Sequence, residues 1–421
     1  MKQQKLLQYE NGLRVIVDSV PNVKSVAAGF WVHVGSSFES LAINGLSHFT
    51  EHMLFKGTDK MSASQIADAF ESYGANVNAF TGKECTCYYA KTIDEYKENV
   101  FELLAHIFFD SIFDEGELDK ERNVILEEIN MVEDSPEDIC YELLAKSLYG
   151  ESVLGQTILG PTSNIKRFKK KDVDNFIGQY YCAERVVISL SGAITLKEAD
   201  AYVKKFVFPK ICVKTTGIKS ATKIKIAKKH VERVKDFEQS NIAISYAGLP
   251  FNDKRASVLN VLNILLGGSM SSRLFQSIRE RMGLAYSVYS APSAYRHNGS
   301  LNIVMNISVD NTQKALDAVK TELQKILKGD IKTEEIIRAK TQLKSALIFS
   351  GESTQSIMTA NGKLLCVTDE VYDVNKKIKE IDAVSLEEVN QLASDIFKDG
   401  HCCTAYVGKE HKADFGGFSI G

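Results

Sequence analysis

A histidine, two residues, a glutamate and a second histidine stand at His48, Glu51 and His52, inside the stretch GLSHFTEHMLFK from Gly45 to Lys56. In a helix, residues four apart lie within ~40° of each other around the axis, and Glu51 stands one step of ~100° from His52. Two imidazoles and a carboxylate then share one flank. That spacing suits zinc: neutral imidazoles from adjacent turns reach one ion, while the carboxylate reaches the water beside the ion rather than the ion itself. The order is the inverse of the commoner His-Glu-x-x-His. Two surface histidines on an amphipathic helix would be the plainer reading, and a third ligand must decide between them.

That ligand has to come from elsewhere in the chain. A long acidic helix is expected from about Asp114 to Glu133, stopped by Asp134-Ser135-Pro136. Glu121 and Glu128, seven residues apart, lie ~20° from each other on one face of it, and Glu127 lies ~100° round from Glu128. Glu115, Glu117 and Glu133 read as a solvated acidic face.

With 421 residues the chain is too long for one core. Strands are expected at Leu13 to Asp18, Val26 to Val34, Val77 to Lys91 and Arg185 to Leu190. Helices are expected between them, including one opened by a capping box at Ser62 and closed at Gly74. The second half repeats the pattern. Ile242 to Tyr246 followed by Gly248-Leu-Pro echoes the strand ending at Gly35, and the helix near Leu386 to Phe397 with the strand ending at Gly408 echoes the helix and strand ending at Gly192. The same offset carries His48 into Val258 to Leu266, where no His or Glu occurs. The domains are therefore read as 1–208 with the metal, a linker at 209–222, and 223–421 as a copy without metal ligands.

Composition excludes some functions. Lys plus Arg at 51 against Asp plus Glu at 54 gives a net charge of -3, which argues against nucleic acid as a partner. The basic runs Lys166 to Lys171 and Lys223 to Lys229 read as solvated faces. No run of eighteen apolar residues occurs, so no membrane span is expected. The N-terminus has neither the apolar core of a signal peptide nor the Arg- and Ser-rich look of a transit peptide. Eight cysteines without a Cys-x-x-Cys pair read as reduced thiols, and the expected setting is cytoplasmic.

GLSHFTEHMLFKGT resembles the zinc-binding segment of the pitrilysin and insulysin family of metallopeptidases, most closely its mitochondrial-processing-peptidase branch and the bacterial proteins similar to it. ERNVILEEI resembles that family's downstream glutamate motif. Aligning its Val-Ile-x-x-Glu implies Glu128, rather than Glu127, as third ligand, and matches Glu121 to an acidic position that supports the site by orienting a zinc histidine. SSRLFQSIRERMGLAYSVYS resembles a substrate-contacting segment, which implies that Arg279 and Tyr286 hydrogen-bond the carbonyl oxygen of the scissile bond. NVNAFTGKECTCYYA resembles an edge strand beside the zinc, which implies that a peptide adds along Asn78, Ala79 and Phe80.

The resemblance implies an α+β protein of two similar domains, each a mainly antiparallel sheet covered by helices. It implies a zinc-dependent (Zn2+) endopeptidase that cuts extended or unfolded peptides, with Glu51 as general base, and a homodimer whose four domains enclose the site. A narrowly specific processing peptidase and a noncatalytic assembly subunit of the same fold are the alternatives.

Overall fold

The computed structural model describes residues 3–213, 224–227, 230–397, 402–415 and 418. The first sheet contains β1 (Gln3–Gln8), β2 (Arg14–Ser19), β3 (Ser25–Val32), β4 (Asn76–Thr81), β5 (Thr86–Ile93) and β6 (Val186–Gly192), in the order β1-β2-β6-β3-β5-β4. Only β2 and β6 run parallel; the other pairs are antiparallel.

The central strand β3 reads SVAAGFWV and is buried at every position after the first, because both faces of the sheet are covered. Side chains alternate. Val26, Ala28, Phe30 and Val32 enter a core with α1 (Leu46–Met53), α2 (Ala63–Ser72), α3 (Lys97–Asp110) and α4 (Glu115–Asp134). There the Phe30 ring lies 5.3 Å from those of Phe101 and Phe108. Gly29 and Trp31 point the other way, onto the helix Thr354–Thr368, so closely that a Cβ on Gly362 would lie 2.1 Å from Trp31 Nε1.

The second sheet contains β7 (His230–Val234), β8 (Ser240–Ala247), β9 (Ala285–Ala294), β10 (Gly299–Ile307) and β11 (Cys402–Gly408), in the order β7-β11-β8-β10-β9. β7 and β11 are parallel and the rest antiparallel. This is the path of β2 to β6 repeated, without an equivalent of β1 among the described residues. The helix Ala256–Leu266 follows β8 as α1 follows β3, and it is apolar where α1 carries its histidines. One face of this sheet packs on α5 (Pro136–Tyr149), through Ile139, Cys140, Leu143 and Leu144 against Ala243, Val304, Ala405 and Val407.

Two expectations differ from these findings. Val77 to Lys91 is a hairpin rather than one strand: Gly82 N–H donates to Cys85 O at 2.8 Å and turns the chain between β4 and β5. The division at 208 and 223 is also too simple. One compact unit is Met1–Ile129 with Thr157–Ser220 and Phe349–Tyr372, and the other is Asn130–Gln156 with Ala221–Ile348 and Asp373–Gly421. Each sheet has a second apolar face to bury, and each buries it under a helix that the sequence lists with the other half. Of the expected linker, 214–222 falls outside the described residues.

Candidate metal centre

α1 begins at Gly45, whose φ of +99° belongs to the left-handed region, and a Cβ there would lie 2.5 Å from Leu159 O. With no side chain at the N-cap, the first N–H groups turn to Glu39, which is 1% exposed. Its Oε2 accepts from Gly45 N at 2.8 Å and its Oε1 from Ser47 N at 2.5 Å. A buried carboxylate at the positive end of the helix dipole fixes the start of α1. Leu46, Phe49, Thr50 and Met53 form the buried face, which leaves His48, Glu51 and His52 on the other flank.

The two imidazole rings stand 4.6 Å apart. Glu128, from α4, brings Oε2 to 3.7 Å from His48 Nε2 and 3.6 Å from His52 Nε2. These separations are too long for hydrogen bonds, yet the three donor atoms lie within 4.8 Å of one another. A tetrahedral ion with bonds of ~2.0–2.1 Å has ligand atoms about 3.4 Å apart, so two nitrogens and one carboxylate oxygen at this spacing fit Zn2+. Glu127, the neighbour, is exposed.

Glu121, only 4% exposed, supports this group from behind. Its Oε2 accepts from His52 Nδ1 at 2.9 Å and its Oε1 pairs with Lys56 Nζ at 2.5 Å. Donating from Nδ1 leaves the lone pair of His52 on Nε2, toward Glu128. Burial would pull the His52 imidazolium down, but the Glu121 bond and the charges of Glu128 and Glu51 outweigh it, so its pKa rises. Burial likewise pushes Glu121 up, and the bonds from His52 and Lys56 bring it below the ordinary carboxylate value. His48 has no such partner: its Nδ1 is buried without a hydrogen bond. Burial, and then the neighbouring His52, lower its pKa to about 3, so it is the neutral imidazole a cation needs.

Glu51 does not join the three ligand atoms. Its Oε2 accepts from Thr81 Oγ1 at 2.5 Å, and burial raises its pKa despite that bond. Thr81 ends β4, the edge of the first sheet. In the same strand Asn78, Ala79 and Phe80 pair with Tyr89, Tyr88 and Cys87 of β5 and leave the outer edge open. The Phe80 ring packs 5.5 Å from that of Trp31, which turns this side chain inward.

Arg279 and Tyr286 belong to the other compact unit. Arg279 lies in a wide π-helical turn, Phe275–Arg281, its guanidinium 4.8 Å from the Phe275 ring and 6.0 Å from that of Tyr286. Ser287 pairs with Asn306 and Ala285 with Ile307, so Tyr286 is the extra residue of a β-bulge. The bulge turns its side chain out of the sheet, and Tyr286 is 76% exposed.

Sequence reasoning passed over Thr81, Lys56 and Glu39. Lys56 stood four residues after His52, a spacing that could have flagged it; Thr81 carried no local signal. A second carboxylate and imidazole group, Asp59, His106 and Asp110, also meets the spacing of a cation site. There both His106 nitrogens are engaged, by Asp110 Oδ2 at 2.7 Å and Thr58 Oγ1 at 2.8 Å, which makes it a structural tie.

Known proteins share this layout. Residues 14–162 match the family model of insulinase, peptidase family M16, and residues 167–343 match that of the peptidase M16 inactive domain. The chain is 41% identical over 392 residues to an uncharacterized zinc protease of Bacillus subtilis strain 168, covering 93% of this chain and 95% of that one. It is 32% identical over 391 residues to another from Streptomyces coelicolor, covering 91% and 85%. A crystal structure of a protease from Helicobacter pylori has the same fold, with a TM-score of 0.90 at 22% identity over 97% of this chain and 99% of that one. By its matched segments and its relatives, the chain belongs to peptidase family M16, the insulinase family, with an insulinase domain followed by one of the inactive type.

Proposed function

We propose that the chain is a zinc-dependent endopeptidase acting on extended or unfolded peptides. The observation that carries this reading is the donor set: His48 Nε2, His52 Nε2 and Glu128 Oε2 converge without bonding one another, while Glu51, on the same helix, is held aside by Thr81. Zinc held by His48, His52 and Glu128 would supply the Lewis acidity that makes water a nucleophile near neutral pH.

The chain's own groups do the rest. Glu51 takes the proton that the attacking water sheds and passes it to the leaving amine, a task suited to a carboxylate whose pKa burial has raised. Glu121 and Lys56 hold His52 in the tautomer that offers Nε2. Asn78, Ala79 and Phe80 present the open edge of β4, which can pair only with a segment whose backbone groups are free. Arg279 and Tyr286 act on the substrate carbonyl, the role the family resemblance gives them. A cytoplasmic homodimer completes the proposal. One chain carries the full ligand set and needs no different partner to supply it, and its eight cysteines are free thiols. No helix among the described residues is long and apolar enough to cross a membrane.

The test is the pair Glu51→Gln and His48→Ala in the full chain, with zinc content and cleavage of an unstructured peptide measured together. Glu51→Gln should keep stoichiometric zinc and lose turnover by about 10²–10⁴-fold, whereas His48→Ala should lose the metal. A wild-type protein that holds zinc and cuts no unstructured peptide would overturn the reading, as would loss of zinc from Glu51→Gln.

A further inference from the structure

We infer that Thr81 is a positioning residue for the general base, tying Glu51 to the edge strand on which substrate would lie; the inference rests on the peptidase reading above. Thr81 Oγ1 donates to Glu51 Oε2 at 2.5 Å, a bond between residues thirty positions apart on two different elements. A glutamate side chain left free has three torsions to order. A charge-assisted hydrogen bond from a fixed hydroxyl removes that freedom before substrate arrives.

Thr81 is well fixed. It pairs with Thr86 across the hairpin, beside the turn that Gly82 and Cys85 close, and Thr86 Oγ1 is itself bonded to Val34 O at 3.0 Å. Alternation along β4 puts Val77, Ala79 and Thr81 on the face toward α1, and Phe80 on the face toward Trp31. Val77 and Ala79 fill that face with apolar groups. A valine at 81 would match threonine in shape and suit a strand as well, so it is the hydroxyl that distinguishes this position.

The test compares Thr81→Val and Thr81→Ser in the full chain, by zinc dissociation constant, thermal midpoint and steady-state cleavage of an unstructured peptide. Thr81→Val should keep the zinc constant within about threefold and KM within about twofold, with kcat down by roughly 10–100-fold. Thr81→Ser, which restores the hydroxyl, should recover most of kcat. Three results would overturn the assignment: a Thr81→Val kcat within twofold of wild type, a kcat loss that tracks lost zinc or a fallen midpoint, or a Thr81→Ser as slow as Thr81→Val. A wild-type protein that binds zinc but cuts no peptide removes the peptidase reading, and the role of Thr81 with it. An active wild type with an equally active Thr81→Val removes only the latter.

Discussion

Replacing Gly362 by alanine sets two effects of opposite sign against each other. Gly362 lies inside the helix Thr354–Thr368, where Gly→Ala ordinarily stabilises by about 1 kcal/mol through helix propensity. Here the new Cβ would lie 2.1 Å from Trp31 Nε1 and 2.5 Å from Cδ1 and Cε2, against an ordinary contact of about 3.5 Å. The indole or the helix must give by about 1 Å. Trp31 is fully buried, and the same helix closes over Gly29 with Met358, whose Sδ would stand 2.4 Å from a Cβ there. Overpacking of this kind costs about 1–3 kcal/mol, occasionally more. Contacts of 2.1–2.5 Å with a fixed indole place the cost at the upper end of that range, so the clash should win, with a net loss of up to about 2 kcal/mol and a fall of up to roughly 8 °C in the midpoint of the unit that holds the first sheet. Differential scanning calorimetry of the full chain reads the shift. Gly178→Ala is the control: it lies in the helix Lys170–Tyr180 with nothing within 4 Å of its Cβ, and it should stabilise by about 0.5–1 kcal/mol. If Gly362→Ala stabilises as Gly178→Ala does, the helix does not cover β3 in solution and the account of the first sheet fails.

Glu121→Gln removes the charge between His52 and Lys56 and should raise the zinc dissociation constant by about 10–100-fold, read by competition with a chromophoric chelator; an unchanged constant would sever Glu121 from the metal. Glu335 is held by two bonds from Arg273, at 2.8 and 2.7 Å, and one from Lys332 N, which outweigh its burial and depress its pKa. Its contribution is therefore present above the unfolded value near ~4.3 and lost as pH falls through the lower folded one. Glu335→Gln should be about 1–3 kcal/mol less stable at pH 7 by urea melts, and the gap should close below pH ~4; a gap independent of pH would refute the pairing. Tyr286→Phe keeps the ring and removes the hydroxyl, and it should lower kcat by roughly tenfold or more while zinc content stays the same; unchanged kcat would take Tyr286 out of the reaction.

What the sequence disclosed follows how far apart the interacting residues stand. His48 and His52 are one helical turn apart, and the capping box at Ser62 closes over three residues, so a short window reveals them. Glu128 needed a motif as well as a helix, because Glu127 sits beside it with the same chemistry. The hairpin was misread because Val77 to Lys91 is rich in strand formers on both sides of Gly82, and only the bond to Cys85 marks the turn. Thr81 and Glu51 meet through tertiary packing, which no local pattern encodes. The covering of the first sheet is more distant still: Gln4 Nε2 bonds Asn361 Oδ1, and Ser189 Oγ bonds Met358 O. A helix of mixed polarity at 354–368 gives no sign, in its own residues, of which sheet it will cover.

That covering bears on how the protein is made. All six strands of the first sheet have been synthesised once Gly192 is added, but the helix that seals Gly29 and Trp31 ends at Thr368. At ~5–20 residues per second, the nascent chain carries a finished sheet with one apolar face bare for roughly ten to thirty-five seconds. Throughout that interval the metal ligands from α1 and α4 are already synthesised. The N-terminal half can thus meet its ion while still lacking its own lid, and a chain released early would be left with that unsealed face open to chaperones, to proteases and to other unfinished copies.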